Sequence, residues 1–133
     1  RGIFPMPFAE CLPPGLEPDI IAVPYVPFSR VLPRCAAIIY HGGIGTCAQA
    51  LHAGIPQLVQ PMAHDQLDTL SRIRELGVGD GVMPRNFKEK PLAAALERLL
   101  STPSYQENAT RMAEKFRTQH WVEETCRVVE GLK

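Results

Sequence analysis

The chain has 133 residues, 45% of them hydrophobic, which suits one soluble domain with a real core and excludes a disordered polypeptide. Lys plus Arg equals Asp plus Glu at 14 each, so the broad basic footprint of a nucleic-acid binder or a polybasic membrane anchor is lacking. No apolar run approaches the length of a membrane span and no signal-peptide pattern opens the chain, so no transmembrane segment and a cytoplasmic setting are expected.

The first segment, RGIFPMPFAECLPPG, is dense in proline and weak in periodicity, and the start at Arg1 reads as a cut within a longer protein. Ile20–Val23 reads as a strand, and Ser29 suits the cap of a short helical turn ending near Pro33. Residues 36–40, AAIIY, are apolar without alternation, the pattern of a parallel strand covered on both faces and central in its sheet. Gly42, Gly43 and Gly45 then permit a tight turn that a ligand can approach closely. Thr46 opens a helix, fits a capping box with Gln49, and is followed by a stop at Gly54 and Pro56, which predicts a helix over 46–53. The free amides and dipole at that helix start favour a phosphate.

Gln57–Val59 follows as a third strand. Asp65 can cap a helix carrying Leu67, Leu70, Ile73 and Leu76 on one side, ended by Gly77, and 78–83 is a further strand. Beyond it only helices are predicted. Pro91 suits a first helical position before Leu92, Leu96, Leu99 and Leu100; Pro103 starts a helix with Tyr105, Ala109, Met112 and Phe116; a last helix holds Trp121, Val122, Thr125, Val128 and Val129. The alternation predicts an α/β fold, a Rossmann-like parallel sheet with flanking helices that binds ligands beyond the carboxyl ends of its strands.

The chemistry-bearing residues gather at those strand ends. His41 can hydrogen-bond a phosphate or close the turn against a carbonyl. Asp65 and Gln66 can cap the next helix or point carboxylate and amide at ligand hydroxyls. Gly43, Gly45 and Ala48, with Asp65 about twenty residues on, also satisfy a relaxed dinucleotide fingerprint, which keeps the NAD-binding domain of an oxidoreductase in play. Against that alternative, Pro61 to His64 separate Asp65 from the end of its strand. Cys11, Cys35, Cys47 and Cys126 lack CxxC spacing and make no zinc pattern with the four histidines, so buried or half-buried reduced thiols are expected and no metal.

Taken together, VPYVPFSRVLPRCAAIIYHGGIGTCAQALHAGIPQLVQPMAHDQ resembles the donor-binding segment of two-domain glycosyltransferases of the GT-B type. These include the bacterial macrolide, rhamnolipid and sterol enzymes. The HGG, GIP, DQ and GVG elements stand in the same order, and the likeness runs over about 20–81. The resemblance implies that 1–133 is a nucleotide-sugar donor-binding domain, the truncated C-terminal half of that fold, in a hexosyltransferase that transfers sugar from a UDP- or dTDP-sugar to a small lipophilic acceptor. It implies inversion, no metal and no cofactor. The histidine base and the acceptor pocket belong to an absent N-terminal domain, so no catalytic residue is expected here and the domain alone should be inactive. A split glycosyltransferase, whose partner is a separate chain, is the variant of this reading.

Residue by residue, Tyr25 matches an aromatic position that stacks on the base, Val26 the backbone that bonds the base edge, and Phe28 the position usually held by glutamine. Gln49 stands where a glutamate usually binds the ribose hydroxyls, which leaves UDP against dTDP open. His41, Gly43, Gly45 and Thr46 fall at the diphosphate. Asp65 and Gln66 match the pair that grips the donor sugar.

Overall fold

The computed structural model describes residues 1–8, 10, 14–15 and 19–132, so the expectation for Cys11 lies outside the described residues. Two parallel sheets form its strand content. In the smaller, β1 (Gly2–Pro5) pairs with β2 (Ile20–Val23), from Gly2 opposite Ile20 to Pro5 opposite Val23. The proline-rich start had suggested no element for β1; backbone pairing with β2 makes the strand, not a side-chain pattern.

The larger sheet has the order β3 (Ile38–Tyr40), β4 (Gln57–Val59), β5 (Gly79–Gly81), all parallel. Here the sequence reading needs correction, because β3 is an edge strand and β4 is the middle one. An unalternating apolar run indicates cover on both faces and does not say how many strands lie to either side. β2 pairs with β1 instead of extending the sheet past β3, and Ile39 is left 42% exposed. The middle strand is buried throughout.

Consecutive residues of β4 point to opposite faces and hold different layers together. Leu58 joins Val82, Ala95 and Leu99, which come largely from α4 (Glu89–Ser101). Val59 joins Cys47, Leu70, Ile73, Val78 and Ala109, beneath α2 (Ile44–Ala53), α3 (Gln66–Glu75) and α5 (Pro103–Thr118). Burying each of these β4 side chains contributes on the order of 2 kcal/mol. β5 approaches β4 so closely that a Cβ on Gly79 would lie 2.0 Å from the Gln57 carbonyl oxygen.

Several helix limits differ from those predicted. α1 (Phe28–Val31) runs into a 3₁₀ turn, Leu32–Arg34, so Ser29 lies inside the helix and Pro27 takes the cap position. α4 begins at Glu89, which places Pro91 within the first turn, where its missing N–H has no partner to lose. The apolar stripe expected on α3 divides: Leu70 and Ile73 are buried, while Leu67 and Leu76 are exposed and Thr69 is buried with the core. Leu100 of α4 is also exposed. α6 (Trp121–Glu130) forms where expected but buries none of its residues. Its Cys126 is exposed, unlike half-buried Cys35 and buried Cys47.

Candidate functional site

The exits of β3 and β4 lie side by side, since Tyr40 is in register with Val59 and the Gln60 amide donates to the Tyr40 carbonyl at 2.8 Å. From Tyr40 the chain enters the glycine turn. Gly42 has φ +97°, and a Cβ there would lie 2.9 Å from Val59 Cγ1 and 3.3 Å from Gln66 Cβ. Only glycine combines that dihedral with that closeness, so the turn presses on the end of β4 and the start of α3.

α2 begins earlier than its sequence suggests. Gly43 is the cap residue, extended at φ −63° and ψ 134°, and its carbonyl accepts from the Thr46 and Cys47 amides at 3.1 and 3.0 Å. Thr46 therefore sits in the first turn, and the capping box with Gln49 is not formed, because no side chain caps this helix. Among the described residues, the amides of Gly43, Ile44 and Gly45 meet no protein carbonyl. They stand at the positive end of a ten-residue helix. A Cβ on Gly45 would meet nothing within 4 Å, so a ligand has room there.

Side chains surround those amides unevenly. His41 is exposed, and its Nε2 lies 2.6 Å from where a Gly43 Cβ would stand, which lays the imidazole over the turn. Thr46 is half-buried and Gln49 exposed, one helical turn beyond Gly45 on the same face. Asp65 is the cap residue of α3, yet its side chain makes no capping hydrogen bond, so the carboxylate is not committed to the helix. Gln66 Oε1 accepts from the Met62 amide at 2.7 Å and the Ala63 amide at 3.1 Å. Between them His64 takes φ 58°, left-handed backbone that a non-glycine residue seldom adopts.

The structure thus gathers His41, Gly43, Gly45, Thr46, Asp65 and Gln66 at one end of the larger sheet, with Gln49 on the adjoining helix face. Tyr25 and Val26 lie in the segment that joins β2 to α1; Tyr25 is 77% exposed and Val26 half-buried. Phe28, half-buried, packs against Leu32, Ala50 and Ile55 and ties α1 to α2.

Beneath the turn lies a pair that the sequence reading missed. The Tyr40 hydroxyl donates to Gln57 Oε1 at 2.7 Å. Burial above all, with Cys47 nearby, pushes the Tyr40 hydroxyl far above its ordinary pKa. Burial also raises the Cys47 thiol, partly offset by its contact with Tyr40. Burial thus disfavours the charged form of both groups. A glutamine in an otherwise apolar strand, QLV, was the available sign of this pair.

Among the described residues, no three His, Cys, Asp or Glu side chains converge to form a metal centre, and no described helix is long and apolar enough to cross a membrane.

Residues 11–132 match the family described as erythromycin biosynthesis protein CIII-like, C-terminal domain. The erythronolide mycarosyltransferase of Saccharopolyspora erythraea is 39% identical over 113 residues, covering 80% of this chain and 27% of that protein. The vancomycin aglycone glucosyltransferase of Amycolatopsis orientalis is 38% identical over 121 residues, covering 89% and 29%. Among solved structures, the glycosyltransferase VinC in complex with dTDP superposes with a TM-score of 0.76 at 32% identity, over 86% of this chain and 30% of VinC. The chain spans less than a third of the length of each of these proteins.

Proposed function

The chain belongs to the family of erythromycin biosynthesis protein CIII-like C-terminal domains, with the fold of the C-terminal half of GT-B glycosyltransferases, and from that premise we propose that it is the donor-binding part of a glycosyltransferase. The substrate class is a nucleotide-diphosphate sugar. One observation carries the reading: the amides of Gly43, Ile44 and Gly45 stand open at a helix start, against a second loop that holds Asp65 and Gln66. The first loop suits a diphosphate and the second suits sugar hydroxyls.

In this proposal the sugar leaves the diphosphate by inversion at its anomeric carbon, and no metal neutralises the charge that grows on the leaving group. The open amides, the α2 dipole, His41 and Thr46 do so instead, because they are aimed before the reaction begins. The acceptor is a small lipophilic alcohol or phenol, deprotonated by a base outside this chain. dTDP is favoured over UDP, since Gln49 offers the ribose only a neutral acceptor, weaker than a carboxylate, and VinC was solved with dTDP.

Calorimetric titration of dTDP, UDP and NAD into the purified protein tests the assignment. Binding of dTDP, weaker binding of UDP and no heat from NAD are expected. Preferential binding of NAD would return the site to the dinucleotide class.

A further inference from the structure

We infer that Gln66 is a positioning residue, whose side-chain carbonyl closes the 62–65 loop and thereby sets Asp65 at a fixed place relative to the diphosphate turn. The inference rests on the donor-site reading and assigns the two members of the Asp-Gln pair different work.

The argument begins with the oxygen. Gln66 Oε1 accepts from the Met62 amide at 2.7 Å and from the Ala63 amide at 3.1 Å. An amide oxygen has two lone pairs, so these bonds fill it, and only the Nε2 hydrogens remain for any other partner. The Gln66 backbone amide returns a bond to the Ala63 carbonyl at 3.3 Å, which closes the loop from both sides. Within this ring His64 is held at φ 58°, a conformation that persists only where neighbouring contacts enforce it.

Asp65 lies between the closed loop and the helix. Its carbonyl accepts from Thr69 at 2.9 Å, and its carboxylate makes no capping bond. The direction of that carboxylate is therefore set by the backbone on either side of it. Gln66 also packs its Cβ against Gly42, 3.3 Å from where a Cβ on that glycine would stand. One side chain thus joins the Asp65 loop to the turn with the open amides.

Four variants of the intact protein, titrated with dTDP and with dTDP-glucose as probes, separate this role from direct contact. The readout is the ratio of the two affinities, in which any general charge or folding effect on nucleotide binding cancels. Gln66→Met, which keeps length but removes the acceptor, is expected to lower the ratio about tenfold, the scale of losing a hydrogen-bonded closure. Gln66→Glu keeps the acceptor, loses the donor and should preserve the ratio. Asp65→Ala should lower the ratio, and adding Gln66→Met to it should lower it no further. Backbone exchange at Met62 and Ala63 should quicken in ligand-free Gln66→Met and stay slow in Gln66→Glu.

Equal loss in Gln66→Glu and Gln66→Met, additive loss in the double variant, or unchanged exchange at Met62 and Ala63 would each overturn the inference. A wild-type protein that ignores dTDP removes the donor-site reading and the inference with it. Normal binding with an intact Asp65 effect and no effect of Gln66→Met removes the inference alone.

Discussion

At the scale of the residue, the site depends on what is left unbonded. Gly43 engages the next turn with its carbonyl and leaves its amide open, as do Ile44 and Gly45. His41 and Thr46 add side-chain donors on either side, one lying over the turn and the other in the first turn of α2. If both meet a diphosphate, His41→Ala and Thr46→Ala should each weaken dTDP binding by about 1–3 kcal/mol, the range for hydrogen bonds to charged partners. Calorimetry gives the affinity and circular dichroism the fold, which should survive because His41 is exposed and Thr46 is half-buried. A folded His41→Ala protein with unchanged affinity would remove His41 from the site. The location of these residues was legible in the sequence because glycines at 42, 43 and 45 after an apolar run leave few alternatives to a tight turn. The bonds that Gln66 accepts from Met62 and Ala63 were not, since they exist only after the loop has taken its three-dimensional course.

At the scale of the element, β5 shows how short strands are fixed where propensity is poor. Its sequence, GDG, contains no β-branched or aromatic residue, and it is held by pairing with β4 and by Asp80. Asp80 receives Arg74 from α3 at 2.8 Å, Arg98 from α4, and the Gly81 amide at 2.7 Å. Burial pushes the Asp80 carboxyl up, but the Gly81 amide and the two guanidiniums outweigh it and hold its pKa below the ordinary value. A carboxyl with a lowered folded pKa contributes its full stability above the unfolded pKa, roughly 4, and loses it as pH falls through the folded value. The thermal midpoint should therefore fall on acidification below about pH 4. Asp80→Asn should flatten that part of the profile and lower the neutral midpoint by about 4 °C. That corresponds to about 1 kcal/mol, because Arg74 and Arg98 are 52% and 59% exposed and solvent screens the pairs. A profile unchanged by the substitution would reduce the cluster to a surface contact. The expected strand at 78–83 was placed correctly but drawn longer than Gly79–Gly81; flanking Val78 and Val82 serve the core and each still bonds β4, the Val78 carbonyl accepting from the Gln57 amide at 3.0 Å and the Val82 amide donating to the Val59 carbonyl at 2.9 Å.

At the scale of the whole molecule, stability is concentrated in one place. β4 is buried along its length, and the α2, α3, α4 and α5 layers close over its two faces. By contrast β1 has no buried residue, β2 only half-buried ones at its end, and α6 exposes Val122, Val128 and Val129. Periodicity made α6 legible as a helix and misled about burial, because an apolar stripe records that a face seeks cover without naming what covers it. The edge position of β3 was hidden for a related reason: the run 36–40 carries no mark of which strand lies beyond it. Uneven burial has a measurable consequence, since amides open at free energies set by the contacts around them. In hydrogen exchange of the protein, β4 and its neighbours in β3 and β5 should be the last to exchange, with α6 and the β1–β2 pair among the first. Adding dTDP should slow exchange across 43–47, while α6 stays at its ligand-free rate. Protection that instead spread first to α6 would mean that the nucleotide sits elsewhere, and the open amides of Gly43, Ile44 and Gly45 would lose their assigned ligand.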